Sequence, residues 1–185
     1  MFNVDHFIAD CRAGLTEPSP ELAIKALLER AVAEPRDVEG ALGTPRQGEI
    51  RVLHRSPELT VLNVIWTPGM AINPHDHRMW AAIALYGGRE DNVFHRRGPG
   101  GLTVAGGRQV ETGDVLMLGP AVIHSVANPL QTFTAAIHVY GGDLVGTPRS
   151  EWLPGRADEC PFDVDRARQV FAEANERWRA QTVGR

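Results

Sequence analysis

The sequence predicts an all-β core with helices at both ends, and three observations support this class. Between residues 49 and 142, short apolar segments are separated by turn signals at spacings of roughly 8–12 residues, which is typical of an antiparallel sandwich or barrel. Before residue 34 and after residue 163, apolar residues recur at helical spacing. We therefore predict one domain over residues 1–185, with a helical segment at 1–34, a β-barrel at 49–142, and a loop followed by a helix at 143–185.

The N-terminal segment contains two helix signals and one break. Asn3 is placed to cap a short helix over residues 3–12. Ser19 and Pro20 mark the start of a second helix that runs to about residue 33, because serine is a favoured cap and proline suits the first helical turn. Pro35 ends this helix, and the glycines and prolines of residues 35–48 predict a connecting loop.

The strand candidates are rich in β-branched and aromatic residues and are bounded by glycine or proline. Gly106-Gly107 separates two of them and predicts a hairpin turn. After residue 143 the chain is irregular until Asp163, which is placed to cap the last helix. The candidates are residues 51–54, 59–66, 80–86, 91–97, 102–105, 109–111, 115–118, 122–127 and 132–140.

Composition narrows the class of partner and the compartment. The formal net charge is −4, so neither nucleic acid nor an anionic membrane is an expected partner. The N-terminus lacks a basic segment followed by an apolar run, and no stretch approaches the ~20 apolar residues of a membrane span. Cys11 and Cys160 are far apart in the chain, a usage that fits free thiols in a reducing compartment. We therefore expect a cytoplasmic protein.

Three histidines give the strongest functional signal. His75 and His77 are one residue apart, so on an extended chain their side chains point to the same face. His124, on another strand candidate, can complete a facial set of three nitrogen donors. Such a set suits one divalent metal ion, with iron as the expected ion. A structural zinc site is the alternative, but those sites normally have four protein ligands.

Two motifs around these histidines resemble the cupin superfamily. Residues 69–77 read Gly-x5-His-x-His, which is similar to its first motif. Residues 113–128 read Gly-x5-Gly-Pro-x3-His-x3-Asn, which is similar to its second motif but one residue shorter than the usual form. The resemblance implies a small antiparallel β-barrel of the jelly-roll type that holds a metal near its axis. Many cupins add a glutamate where this chain has Ala81, so the implied ligands are His75, His77 and His124 alone.

A third motif resembles the cysteine dioxygenase family of thiol dioxygenases. It is the segment His-Val-Tyr-Gly-Gly-Asp-Leu at residues 138–144, and the similarity as a whole covers roughly residues 49–150. This resemblance implies an Fe(2+) cofactor and the addition of both oxygen atoms of O₂ to the sulfur of a small thiol, giving a sulfinate. It also implies that His138 and Tyr140 lie beside the iron and tune the oxygen chemistry.

The chain departs from this family at two positions. The family has a Ser-His-Tyr series beside the iron, and here the serine position is Ala136, so His138 needs another partner. Some members link the tyrosine to a cysteine, and Ala81 occupies that position, so the crosslink cannot form in this chain.

Two arginines are candidates for binding the carboxylate that substrates of this family carry. An arginine can hold a carboxylate through two parallel hydrogen bonds. Arg51 lies on the strand candidate before the histidine motif, and Arg149 follows His138 by eleven residues. The resemblance leaves the choice between them open, and it leaves cysteine, 3-mercaptopropionate and mercaptosuccinate open as substrates.

Two other function classes remain open at this point. The first is a different metalloenzyme on the same barrel, using nickel, manganese or zinc, which the missing serine motivates. The second is a non-catalytic cupin that binds or senses a small ligand, because a fold does not fix a function. The expected partners are a small-molecule thiol and O₂, and the chain is expected to be a monomer or a homodimer.

Overall fold

The computed structural model describes residues 1–183, and within them an all-β core lies between three N-terminal helices and one C-terminal helix. This confirms the predicted fold class, although the strands form two antiparallel sheets that do not close into one barrel. The division into the segments 1–34, 49–142 and 143–185 stays a prediction. The helices are α1 (Val4–Gly14), α2 (Pro20–Val32), α3 (Pro35–Leu42) and α4 (Val164–Val183).

The sheets have five and six strands in the described part of the chain, in the orders β1-β2-β9-β4-β7 and β11-β10-β3-β8-β5-β6. Strands β2 to β9 are divided between the two sheets in the manner of a jelly roll, in which neighbours in a sheet are distant in sequence. The strands are β1 (Glu49–Arg55), β2 (Thr60–Trp66), β3 (Ala71–Asp76), β4 (Ala81–Gly87), β5 (Arg89–Gly98), β6 (Gly101–Glu111), β7 (Val115–Leu118), β8 (Ile123–Ala127), β9 (Thr134–Tyr140), β10 (Ser150–Glu151) and β11 (Cys160–Pro161).

The central strands of the five-stranded sheet are buried on both faces. Every residue of β2 and of β9 is buried, which explains why these segments read as nearly continuous apolar runs. One face packs against the N-terminal helices, where Ile24 and Leu28 of α2 share a hydrophobic cluster with Val61 and Ile137. The other face lies inside the molecule and contributes Leu62 and neighbouring side chains to a second cluster.

The first helix begins as the sequence predicts, and the third helix corrects a prediction. The side chain of Asn3 accepts a hydrogen bond from the N–H of His6 at 2.9 Å and caps α1. Residues 35–48 were predicted as a loop, but α3 occupies Pro35–Leu42. Pro35 ends α2 and also starts α3, because proline fits the first turn of a helix. Val38 and Leu42, four residues apart, are its buried residues.

The predicted hairpin at Gly106-Gly107 is wrong. Both glycines lie inside β6, which pairs with β5 along its whole length. The pairing shifts by one residue where Phe94 lies opposite Gly106 and His95 lies opposite Val104, so the glycines mark a bulge rather than a turn. The reversal of the chain lies between Gly98 and Gly101.

The last helix is capped as predicted and packs against the core. Oδ1 of Asp163 accepts hydrogen bonds from the N–H groups of Asp165 and Arg166 at 2.9 and 3.2 Å. Phe171 stacks on Trp66 with ring centroids 5.5 Å apart. None of the helices formed by residues 1–183 has both the length and the apolar character that crossing a membrane requires.

Candidate metal centre

The three predicted histidines come together at one place. His75, near the end of β3, lies directly opposite His124 of β8 in the sheet, and His77 follows β3. Their ring centroids are 4.8 to 5.1 Å apart. One ring nitrogen from each histidine can be chosen so that all three lie within 4.8 Å of one another. We call His75, His77 and His124 the histidine cluster.

Burial keeps the histidine cluster uncharged. His124 and His77 are 1% and 4% exposed, and His75 is 9% exposed. Burial lowers the pKa of His75 to about 4 and lowers the pKa values of His77 and His124 well below the usual value for histidine. At neutral pH each imidazole is therefore neutral and has a lone pair for a metal ion.

Hydrogen bonds select which nitrogen is free in two of the rings. Nδ1 of His124 lies 2.8 Å from Oδ1 of Asn92, and Nδ1 of His75 lies 2.9 Å from the carbonyl oxygen of Asn73. Because these oxygens only accept, each Nδ1 carries the proton and each Nε2 has the lone pair. Nε2 of His124 is 3.3 Å from Nε2 of His77. Orienting bonds of this kind are typical of metal-binding histidines, so the histidine cluster fits a divalent metal ion.

Asp76 lies between two of the histidines but is engaged elsewhere. Its carboxylate accepts hydrogen bonds from the N–H of Ser150 at 2.8 Å and from Arg97 at 3.2 Å, and it forms an ion pair with Arg78 at 2.8 Å. Successive residues of an extended chain point to opposite faces, which explains why Asp76 faces away from the histidine cluster. Asp76 therefore connects the segment around Ser150 to β3.

His138 and Tyr140 lie on β9 and line the same cavity as the histidine cluster. The Tyr140 ring meets the His77 ring edge-on with centroids 5.1 Å apart. Burial raises the pKa of Tyr140, so the phenol keeps its proton. The Tyr140 hydroxyl lies 3.0 Å from Nδ1 of His138, so the two side chains are hydrogen-bonded to each other.

Sequence reasoning missed Glu90, whose carboxyl group lies beside His138 without forming a hydrogen bond to it. Glu90 of β5 is completely buried, and its Oε1 lies 3.7 Å from Nε2 of His138. The same oxygen accepts a hydrogen bond from Nε1 of Trp66 at 2.6 Å, while Oε2 has no hydrogen-bond partner. The run Arg89-Glu90-Asp91-Asn92 is polar at every position, so it contains no alternation that would mark Glu90 and Asn92 as inward-facing.

Arg149 reaches the site. It lines the cavity, its guanidinium lies 3.8 Å from the centroid of the Phe162 ring, and its Nη1 donates to the carbonyl of Leu144 at 2.7 Å. Its Nε is buried and has no hydrogen-bond partner. Burial lowers the pKa of Arg149, which reflects a cation held partly out of water. The arrangement suits an anionic group of a ligand.

The structure places Arg51 away from the histidine cluster. Arg51 lies opposite Asn63 in the sheet, and residues in this position share a face. The Asn63 side chain accepts a hydrogen bond from Tyr86, which belongs to the cluster under the N-terminal helices. Arg51 therefore points away from the histidine cluster, and its Nη2 donates to the carbonyl of Leu42 at 2.6 Å.

The cavity in front of the histidine cluster has a volume of about 690 Å³. Both sheets and α4 contribute to its walls, which are largely apolar. The polar side chains in the walls are those of the histidines, Tyr140, Arg149, Glu49, Arg55, Arg168 and Asn175. Its size lies within the range of about 300–1,000 Å³ that is usual for small-molecule sites. The geometry is therefore that of a ligand pocket with a metal-binding group in its wall.

Comparison with solved structures finds cupin proteins among the matches, whereas no protein-family model matches the chain. An RmlC-like cupin with a double-stranded β-helix fold from Methanocaldococcus jannaschii has 8% identity, a TM-score of 0.47, and an alignment covering 54% of this chain and 84% of that one. A Cupin 2 conserved barrel domain protein from Salinispora arenicola has 21% identity, a TM-score of 0.42, and coverage of 50% and 74%. A variant of oxalate decarboxylase from Bacillus subtilis has 17% identity, a TM-score of 0.43, and coverage of 54% and 26%. Similarity at this level does not identify the metal or the reaction of this chain.

Proposed function

We propose that this chain is an iron(II)-dependent thiol dioxygenase that acts on a thiol carboxylate. In the reaction, RSH and O₂ give RSO₂H: the S–H and O–O bonds break and two S–O bonds form. Sulfur loses the four electrons that reduce O₂, and the sulfinic acid releases its proton to solvent. The observation that carries the proposal is that the histidine cluster, the His138–Tyr140 pair and the unpartnered Nε of Arg149 all line one cavity.

The donor set supports iron rather than a structural ion. Three neutral imidazoles bind a borderline metal without cancelling its charge. Structural zinc sites are normally closed by four protein ligands, and the metal-binding group found among residues 1–183 has three. Iron bound by His75, His77 and His124 would supply the redox chemistry that O₂ requires, with coordination positions left for substrate.

The other residues of the cavity have roles that follow from their contacts. Arg149 binds the substrate carboxylate, because it is a cation in the cavity wall whose buried Nε has no hydrogen-bond partner. The Tyr140 hydroxyl keeps its proton and presents it beside His77, where it can donate a hydrogen bond to the bound substrate. Nδ1 of His138 is hydrogen-bonded to the Tyr140 hydroxyl, and Glu90 orients His138 in place of the serine that Ala136 replaces. The apolar walls exclude water from the reacting groups.

We also propose that the enzyme acts in the cytoplasm. Both Cys11 and Cys160 are free, and Cys11 is completely buried. Burial raises the pKa of the Cys11 thiol to about 12, so this group is inert at neutral pH. Two unlinked thiols support a reducing compartment.

Oxygen consumption after anaerobic loading with ferrous iron tests the proposed function. The protein is mixed with cysteine, 3-mercaptopropionate and mercaptosuccinate in turn, and products are identified by mass spectrometry. We expect thiol-dependent O₂ uptake with one sulfinate formed per O₂ consumed. Turnover of a substrate without O₂, or binding of ligands that raises the melting temperature without any turnover, would contradict the proposal and favour one of the other two function classes.

A further inference from the structure

We propose that the cavity takes a thiol carboxylate with an extended apolar chain, and that this chain lies in a subsite leading from the histidine cluster to the surface. This inference rests on the proposed function for the position of the sulfur. It adds a substrate class that is larger and more apolar than cysteine or 3-mercaptopropionate. The subsite itself is a property of the cavity wall and can be tested without turnover.

The first argument is the volume of the cavity. At about 690 Å³ it has the size of pockets that bury drug-sized ligands. Liquid water occupies about 30 Å³ per molecule, so a thiol carboxylate of only a few heavy atoms would leave most of this space to water. An apolar chain that fills the space releases that water and gains contact with the wall.

The second argument is the apolar side chains at the cavity opening. Seven large hydrophobic residues are classed as exposed in the part of the chain whose side chains are described, and four of them line this one cavity. A residue that lines a cavity and is also exposed lies at its rim. Concentration of exposed apolar residues at one place marks a binding surface. The four residues are Ile50 and Val52 of β1, Val145, and Val164 of α4.

The third argument is the position of the available charge, which sets the orientation of the ligand. Arg55 and Arg168 also line the cavity, but each already pairs with an aspartate, Asp143 at 2.7 Å and Asp165 at 2.9 Å. Arg149 has only the backbone carbonyl of Leu144 and the ring of Phe162 as partners within the described residues. The carboxylate therefore binds at Arg149, which packs on the same Phe162 ring that contacts His75, and the apolar chain of the ligand extends towards the rim.

Ligand binding by simple carboxylates tests the subsite directly. Octanoate and acetate have the same head group and lack a thiol, so their affinities can be measured by isothermal titration calorimetry on the full chain without turnover. Each methylene that becomes buried raises affinity by up to about fourfold. We expect octanoate to bind at least about tenfold more tightly than acetate, with a negative heat-capacity change.

A pair of matched variants tests where the apolar chain of the ligand lies. Val52→Asn changes a rim residue that is 51% exposed, and Val104→Asn changes a residue on β6 that is 71% exposed and lies outside the cavity. Because both are exposed strand positions, both variants should fold. We expect Val52→Asn to weaken octanoate binding by about threefold or more and to leave acetate binding unchanged, and Val104→Asn to change neither.

The outcomes separate this inference from the proposed function. Tight octanoate binding without oxidation of any thiol would support the subsite and overturn the proposed function. The subsite would be overturned, and the proposed function left intact, by three results together. These are rapid oxidation of 3-mercaptopropionate, equal affinities for octanoate and acetate, and a KM for 2-mercaptooctanoate that is no lower than the KM for 3-mercaptopropionate. Self-association that Val52→Asn abolishes and Val104→Asn preserves would also overturn the subsite, because the rim would then be an interface between copies.

Discussion

Glu90 and His138 lie against each other in the interior, with Oε1 of Glu90 3.7 Å from Nε2 of His138. On the far side of the same imidazole, Nδ1 is 3.0 Å from the hydroxyl of Tyr140. Glu90 is completely buried, so water does not screen its interaction with His138. The two sheets thus place a carboxyl group beside His138, whose expected serine partner is replaced by Ala136. Glu90 is a positioning residue, since it acts through His138.

Replacement of Glu90 by glutamine tests this relationship. Glu90→Gln keeps the size and the acceptor for Trp66 but replaces the carboxyl group that faces His138 by an amide. We expect kcat to fall by about tenfold to a hundredfold, with KM and iron content nearly unchanged. The melting temperature should change little, because Oε2 of Glu90 makes no hydrogen bond that the replacement would remove.

Asp91→Asn is the control for Glu90→Gln. Asp91 is the next residue on β5, is 32% exposed, and pairs with Arg89. The Asp91→Asn variant should have the same kcat as the parent protein. A lower melting temperature for Glu90→Gln with an unaltered kcat would assign Glu90 a purely structural role.

The contrast between Glu90 and the histidine cluster shows what the sequence could reveal. His75 and His77 are neighbours along the chain, and the period of a strand predicts that they share a face. His124 was found because it stands in a motif. Glu90 is distant from His138 in sequence, and only the order of strands in the two sheets brings them together. No local pattern contains that information.

Arg51 and Arg149 also show that a local sequence pattern does not determine which side chains meet in the fold. Arg51 was a reasonable candidate by its position along the chain, but the face on which it lies depends on its register with Asn63. A shift of one residue moves every side chain of a strand to the other face. Fold class, the caps Asn3 and Asp163, and most strands could be predicted because they depend on local spacing, although Ser19 forms no capping bond through its side chain. The positions of Arg51 and Arg149 depend instead on strand pairing.

Removal of one histidine of the cluster should remove the metal. His124→Ala leaves two imidazoles, and we expect iron affinity to fall by more than about a hundredfold, as judged by metal content after dialysis. The fold should persist by circular dichroism, because the apolar clusters on both faces of the five-stranded sheet do not depend on His124. His95→Ala is the matched control, since His95 bonds Ser125 at 3.0 Å outside the cluster. Full iron occupancy in His124→Ala would refute the ligand assignment.

Arg149 and Arg51 form a matched pair for testing carboxylate binding. Arg149→Gln removes the buried donor, and we expect KM for a thiol carboxylate to rise by about tenfold to a hundredfold, because a hydrogen bond to a charged group contributes about 1.5–3 kcal/mol. Arg51→Gln should leave KM unchanged, since Arg51 faces the other side of the sheet. For a thiol without a carboxylate, Arg149→Gln should behave like the parent enzyme. Equal KM values for all three proteins with the thiol carboxylate would contradict the assignment.

Acid should destabilise the metal-free protein through the histidine cluster. Burial lowers the pKa of His75 to about 4, whereas an exposed histidine in the unfolded chain has a pKa near 6.5. Between these values the unfolded state binds more protons, so stability is fully present above pH 6.5 and is lost as the pH falls towards 4. His75 alone should contribute a loss of about 3 kcal/mol across this window.

Urea unfolding of the metal-free protein at a series of pH values measures this loss. His75→Gln is the comparison, because glutamine does not titrate and the loss of stability between pH 6.5 and 4 should be smaller by about the same amount. Identical pH profiles for the two proteins would show that His75 is not held neutral by burial.

Asp76 should affect substrate binding through the segment that carries Arg149. Its Oδ1 accepts the hydrogen bond from the N–H of Ser150, the residue after Arg149, while its Oδ2 faces Arg78 and Arg97. Asp76→Ala removes both the acceptor for Ser150 and the carboxylate that pairs with Arg78 and Arg97. We expect the free energy of unfolding to fall by about 1–3 kcal/mol and KM to rise. Asp76→Asn retains an acceptor for Ser150, so it should lower stability but keep KM near the parent value.

Glu159→Gln provides the surface comparison for Asp76. Glu159 pairs with Arg97 at 3.0 Å, but both side chains are 47% exposed, and exposed ion pairs contribute little to stability. We expect this variant to match the parent in urea unfolding and in KM. If Asp76→Ala raised KM no more than Asp76→Asn did, the bond to Ser150 would not position Arg149, and the carboxylate site would depend only on the contacts of Arg149 with Leu144 and Phe162.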